Sequence, residues 1–151
     1  MRALGVDYGQ RRIGLALSDA SGMLARPWKT IERTGNASQV ARALAEIVTI
    51  LRDGDEEVAT IVLGLPRRLN GEPTDQSRLV ARVAVHLRSL VSIPVVLQDE
   101  RLSSREAETL LAQREKDWRK RKDMIDAMAA AVILQDYLDA NERPHASKED
   151  D

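Results

Sequence analysis

The chain has 151 residues, 43% of them apolar, no cysteine, and a formal net charge of −1 from 23 basic and 24 acidic side chains. That is enough chain for one domain with one good core, and it excludes disulfides and thiolate metal sites. No apolar run is long enough to span a bilayer, and the N-terminus enters a strand without a secretory apolar region, so the cytosol is the expected setting.

Residues 2–8 read as a buried strand and 9–12 as a turn. Residues 13–18 alternate large and small and read as a second strand, antiparallel to the first. A turn at 19–22 leads to a third strand near Trp28 to Glu32. Asn36 opens a helix with Val40, Leu44, Ile47, Val48 and Leu51 on one face. Val58 to Gly64 is apolar apart from Thr60, the pattern of a strand buried on both faces. Residues 66–73 form a loop with an Asn70-Gly71 turn signal. A helix from about Asp75 to Leu90 and a strand from Ile93 to Leu97 follow.

Ser103 and Glu106 make a capping box for a helix to about Gln113. The basic segment 114–122 reads as a loop or frayed helix, and the last helix as running from about Asp123 to Leu138. Residues 139–151 are polar and aperiodic, which predicts disorder. The expectation is one domain over 1–138 and a disordered tail over 139–151. The order β-β-β-α-β-α-β-α-α predicts an α/β fold. The opening hairpins are antiparallel, the later β-α-β steps parallel. The result is a mixed five-stranded sheet with helices on both faces.

Three acids stand where an unpaired charge is costly: Asp7 closes Ala3-Leu4-Gly5-Val6, Glu100 closes Val95-Val96-Leu97-Gln98-Asp99, and Asp126 is the only charge between Met124 and Leu134. A buried carboxylate needs a partner, and three that converge would repel unless a cation sat between them. Strand alternation puts Asp99 and Glu100 on opposite faces, with Glu100 on the side of Gln98 and Val96. Asp123 reads as a helix cap. Ala129 and Ala130, one turn beyond Asp126, would let that helix approach the sheet closely.

Each feature also has an ordinary reading. Asp7-Tyr8-Gly9 with Gly14 fits a plain hairpin, the first strand of an RNase H-like nuclease, or the phosphate hairpin of sugar-kinase and actin-type ATPases. Asp126 could pair with an arginine. The basic groups at Arg11-Arg12, Arg67-Arg68 and 116–122 are either solvated faces or phosphate contacts. Trp118 could stack on a base or pack down. His86 and His145 are expected to be structural or solvated. Aromatic residues are only 3% of the chain, which argues against an extended base-stacking platform.

Four motifs occur in order: Gly5-Val6-Asp7-Tyr8-Gly9 with Arg12-Ile13-Gly14; Val62-Leu63-Gly64-Leu65-Pro66 with Asn70-Gly71; Asp99-Glu100-Arg101-Leu102-Ser103; and Asp126-Ala127-Met128-Ala129-Ala130 with Ile133-Leu134. Together they resemble the YqgF family over roughly residues 2–138. Its members carry the names pre-16S rRNA nuclease and Holliday-junction resolvase homologue. The resemblance implies an RNase H-like fold and a metal-dependent endonuclease acting in 16S rRNA 5′-end maturation.

Carried over by position, the catalytic and metal-binding triad falls on Asp7, Glu100 and Asp126, with two Mg²⁺ or Mn²⁺ ions as cofactors. Asp7 would bridge the ions and the other two would complete the coordination. Nucleic-acid contacts are expected at Arg11, Arg12, Arg67, Arg68, Asn70, Arg101, Lys116, Arg119, Lys120, Arg121 and Lys122. The expected partners are RNA, namely pre-16S rRNA, and ribosomal precursor particles, with no membrane; the chain would act as a monomer or weak homodimer. The alternatives are a DNA junction resolvase and a non-catalytic nucleic-acid-binding protein. An actin-type ATPase needs two duplicated domains, for which 151 residues leave no room.

Overall fold

Leu4, Val6 and Tyr8 alternate with Ala3, Gly5 and Asp7 along the first strand, β1 (Arg2–Tyr8). One face of the sheet therefore receives large side chains, and the other small ones and a carboxylate. The computed structural model describes residues 1–66, 72–100 and 118–149, with side chains in the last helix from Met124 to Asn141. β2 (Arg12–Ser18) pairs antiparallel with β1, in a register that sets Asp7 opposite Gly14. β3 (Ala25–Glu32) pairs antiparallel with β2 and forms one edge.

Helix α1 (Ala37–Asp53) leads to β4 (Val58–Pro66), and helix α2 (Asp75–Leu90) to β5 (Val95–Glu100). β4 is parallel to β1 and β5 is parallel to β4, giving the order β3-β2-β1-β4-β5. The C-terminal ends of β1, β4 and β5 thus share one edge, where sites in such sheets form. Both helices start on reciprocal caps, Asn36 with Gln39 and Thr74 with Ser77.

α1 and α2 cover the large-residue face. Val40, Leu44, Leu51, Val80, Val83 and Leu87 bury Leu4, Val6, Ile13, Leu15, Ile61 and Leu63. Each such side chain stabilises the fold by about 1.5–3 kcal/mol. The final helix, α3 (Trp118–Glu149), covers the other face. There Ala130, Ala131, Ile133 and Leu134 meet Ala3, Ala16 and Val62.

The elements depart from the sequence pattern at their ends. β3 begins at Ala25 and β5 continues through Glu100, because parallel pairing with β4 persists as Gly64↔Gln98, Leu65↔Asp99 and Pro66↔Glu100. α3 begins at Trp118, so Asp123 lies within the helix and is not its cap. The helix extends to Glu149. The Asn70-Gly71 turn and the Ser103–Gln113 helix lie outside the described residues.

Candidate active site

Asp7 ends β1 on the α3 side, and the turn that follows is clasped from two directions. The Gly9 amide donates to the Arg12 carbonyl at 3.0 Å, closing the turn. Arg33, just past β3, lies over the Tyr8 ring with its guanidinium carbon 4.3 Å from the centroid. Its Nη1 donates to the Gly9 carbonyl at 3.1 Å and to the Gln10 carbonyl at 3.4 Å. From the first turn of α2, the Gln76 side-chain amide donates to the Tyr8 carbonyl and, at 3.5 Å, to the Gly9 carbonyl. Nothing in the sequence pattern singled out Arg33 or Gln76. They reach the turn across 24 and 68 residues of chain, respectively.

Backbone contact brings Asp126 to this place. A Cβ on Gly14 would lie 1.9 Å from the Asp126 carbonyl oxygen, and one on Gly5 would lie 2.8 Å from Leu134 Cβ. The helix therefore rests directly on β1 and β2 where their side chains are missing. Ala130 is fully buried at the same contact, as its small size predicted. Because Gly14 is the cross-strand partner of Asp7, the helix delivers Asp126 beside the end of β1. An Asp126 carboxylate oxygen sits 3.8 Å from the position of a Cβ on Gly9.

Glu100 reaches the same edge from β5. It is half-buried while Asp99 is exposed, as the alternation predicted. Burial, then the charge and hydrogen bond of Glu100, then the charge of Asp126 push the Asp7 carboxyl up to about 8. Burial also raises Glu100, and its hydrogen bond with Asp7 partly opposes this. The two carboxyls interact directly, and on balance both are shifted toward the protonated form. Asp126 is raised by burial and held back by the nearby Arg12 guanidinium. The arginine partner considered for Asp126 thus exists, but Asp7 feels the Asp126 charge as well. Among the described residues, no group of three or more His, Cys, Asp or Glu side chains is arranged so that it could hold a metal ion.

The other polar residues separate from this group. Asp19 accepts from the Met23 amide at 2.9 Å and from Ser21 Oγ at 3.0 Å, and these bonds and others within its turn lower its pKa. His86 is exposed on α2, and the His145 side chain lies outside the described residues. Arg11 and Arg12 are exposed on the clasped turn. Arg67, Arg68, Asn70, Arg101 and Lys116 lie outside the described residues. Arg119, Lys120, Arg121 and Lys122 fall on the opening turns of α3, with side chains outside them, as is that of Trp118. No helix among the described residues is long and apolar enough to cross a membrane.

Known proteins share this arrangement of sequence and fold. A relative from Anaeromyxobacter dehalogenans named "Putative pre-16S rRNA nuclease" is 44% identical over 139 residues, 92% of this chain and 97% of its own. One of the same name from Thermoanaerobacter pseudethanolicus is 40% identical over 141 residues, 93% of this chain and 97% of its own. Among solved structures, Thermus thermophilus RuvC in complex with a Holliday junction superposes with a TM-score of 0.50 at 15% identity, covering 94% of this chain and 96% of that one. At that identity the likeness is one of fold, and it agrees with the RNase H-like sheet expected. The family model described as "RuvX: Holliday junction resolvase" matches residues 1–140. With that match and these relatives of nearly equal length, the chain belongs to the RuvX family, the YqgF family that its motifs resemble.

Proposed function

We propose that the chain is a metal-dependent endonuclease that hydrolyses phosphodiester bonds in nucleic acid, acting on pre-16S rRNA in 5′-end maturation. One observation supports the reading: at one sheet edge, burial and then the neighbouring carboxyls of Glu100 and Asp126 push the Asp7 carboxyl up to about 8. A structural ion pair would place a cation against Asp7, and among the described residues no basic side chain is a cause of its shift. The relatives' names supply the substrate.

The donor set fits a hard divalent cation, since it offers carboxylate oxygens without thiolate or imidazole. Asp7, Glu100 and Asp126 would hold such ions, and the proton that the raised pKa keeps on Asp7 would leave as they bind. When bound, the ions lower the pKa of an attacking water and offset charge on the leaving oxygen. The chain supplies the rest. Arg33 and Gln76 hold the turn that fixes where Asp7 stands. The Gly14 contact fixes Asp126. Arg11, exposed on that turn, would meet the phosphate backbone, with Arg12 beside it near Asp126.

The test offers purified protein a 5′-extended precursor 16S rRNA fragment and a four-way DNA junction side by side, with Mn²⁺ or with EDTA. Metal-dependent cleavage of the RNA is expected. Cleavage of the junction alone would replace RNA by DNA as substrate. No metal-dependent cut of either would leave a nucleic-acid-binding protein.

A further inference from the structure

β3 is an open edge of the sheet, and Arg26, Trp28 and Lys29 are exposed along its middle. The chain holds only two tryptophans and two tyrosines. Tyr8 is buried and Tyr137 half-buried, whereas Trp28 keeps 36% of its surface in solvent. The register explains how it comes to be there. It steps from Leu15↔Lys29 to Ala16↔Pro27, which leaves Trp28 as the extra residue of a bulge. Such a residue is re-aimed out of the regular pleat.

Two neighbours say what the edge can take. Pro27 has no amide to donate, which discourages pairing with another strand. Lys29 Nζ lies 4.4 Å from the centroid of the Trp28 ring, a cation set on an aromatic face. No acidic side chain occurs between Ala25 and Ile31. An aromatic plane flanked by two cations is the minimal platform for a base and its phosphates.

We infer that this edge docks single-stranded nucleic acid, with one base on the Trp28 ring and the backbone at Lys29 and Arg26. The inference rests on the nuclease reading and gives that enzyme a substrate contact away from the carboxylates. Thr30 pairs with Gly14, and Gly14 with Asp7. Two residues along β3 and two strands across place Trp28 about 12 Å from Asp7, at ~3.4 Å per residue and ~4.8 Å per strand. Lys29 and Arg26 pair with Leu15 and Leu17, which face α1 and α2, so a strand held here would pass around the sheet edge to reach Asp7. A duplex keeps its base faces stacked internally, so an unpaired strand is the matching ligand.

Binding is measured in EDTA, so that no turnover enters, with a fluorescently labelled oligoribonucleotide offered single-stranded or as a blunt duplex. Trp28→Leu and Lys29→Gln should each weaken single-strand binding on the order of tenfold, and duplex binding less. In a Trp118→Phe background, the single strand should quench Trp28 emission. Unchanged affinity in both variants overturns the inference, as does emission indifferent to RNA. So does loss of self-association in Trp28→Leu with RNA affinity intact, which would make the edge a contact between copies. Cleavage by the wild-type protein with Mn²⁺ is scored separately. Its absence would sink the nuclease reading while leaving the edge measurement valid.

Discussion

The two faces of the sheet are built on opposite principles. Under α1 and α2, large aliphatic side chains interdigitate. Under α3, the sheet presents Ala3, Gly5, Gly14 and Ala16, and the helix answers with Ala130 and Ala131. The first face buries more apolar area per contact and so carries more of the stability. The second gives up that area for close backbone approach, and the closeness positions carboxylates from three elements. Stability and chemistry are thus divided between the two sides of one sheet. The division can be tested by breaking each side separately.

The largest effect is expected from Asp7→Asn, which should lower metal-dependent cleavage by at least about 10²–10³-fold, the scale of losing one electrostatic stabiliser. Circular dichroism should show an intact fold. Undiminished cleavage in a preparation free of other nucleases would remove Asp7 from the mechanism. On the opposite face, Leu87→Ala empties a fully buried site and should cost about 2–5 kcal/mol in urea unfolding. Its cleavage rate per folded molecule should stay near wild type. A rate collapse there would show that the faces are not separable.

Gly14→Ala should do both kinds of damage. The new methyl has no room against the Asp126 carbonyl, so the helix must shift. About 1–3 kcal/mol of stability should be lost, together with most of the cleavage, because Asp126 moves with the helix.

A pH series probes the same side. The folded pKa of Asp7, about 8, lies above its ordinary value of 3.8. Between those values the folded state holds a proton that the unfolded state releases, so stability falls as pH rises through the window. Below 3.8 the contribution is complete, and above 8 it is gone. Thermal midpoints without metal should therefore decline from pH 5 to 8. Asp7→Asn should flatten that decline, and Mn²⁺ should restore stability at the high end. The smallest effect is expected at Asn36→Ala, which removes the α1 cap for about 1 kcal/mol and leaves cleavage unchanged.

Much of this division was legible in the sequence where it depends on period. Alternation in Ala3-Leu4-Gly5-Val6-Asp7 gave the strand and its two faces, and alternation also separated Glu100 from Asp99. The 3.6-residue spacing of Val40, Leu44 and Leu51 gave α1 and its buried side. The run of alanines after Asp126 announced a close approach. The start of the last helix was less legible, as Trp118 shows, because the charged run that follows it carries no apolar period. Arg33 and Gln76 gave no sign, since hydrogen bonds to backbone carbonyls leave no pattern in a single chain.

The sequence by itself determined the alternating strands, the amphipathic helices and three acids at costly positions, because burial imposes a period on neighbouring residues. Only the tertiary structure decided that Gly14 is the seat of α3, that Asp7 and Glu100 meet, and that Trp28 is the odd residue of a bulge. Those facts depend on register and on how closely two backbones approach, and both are settled by packing between elements distant in the chain.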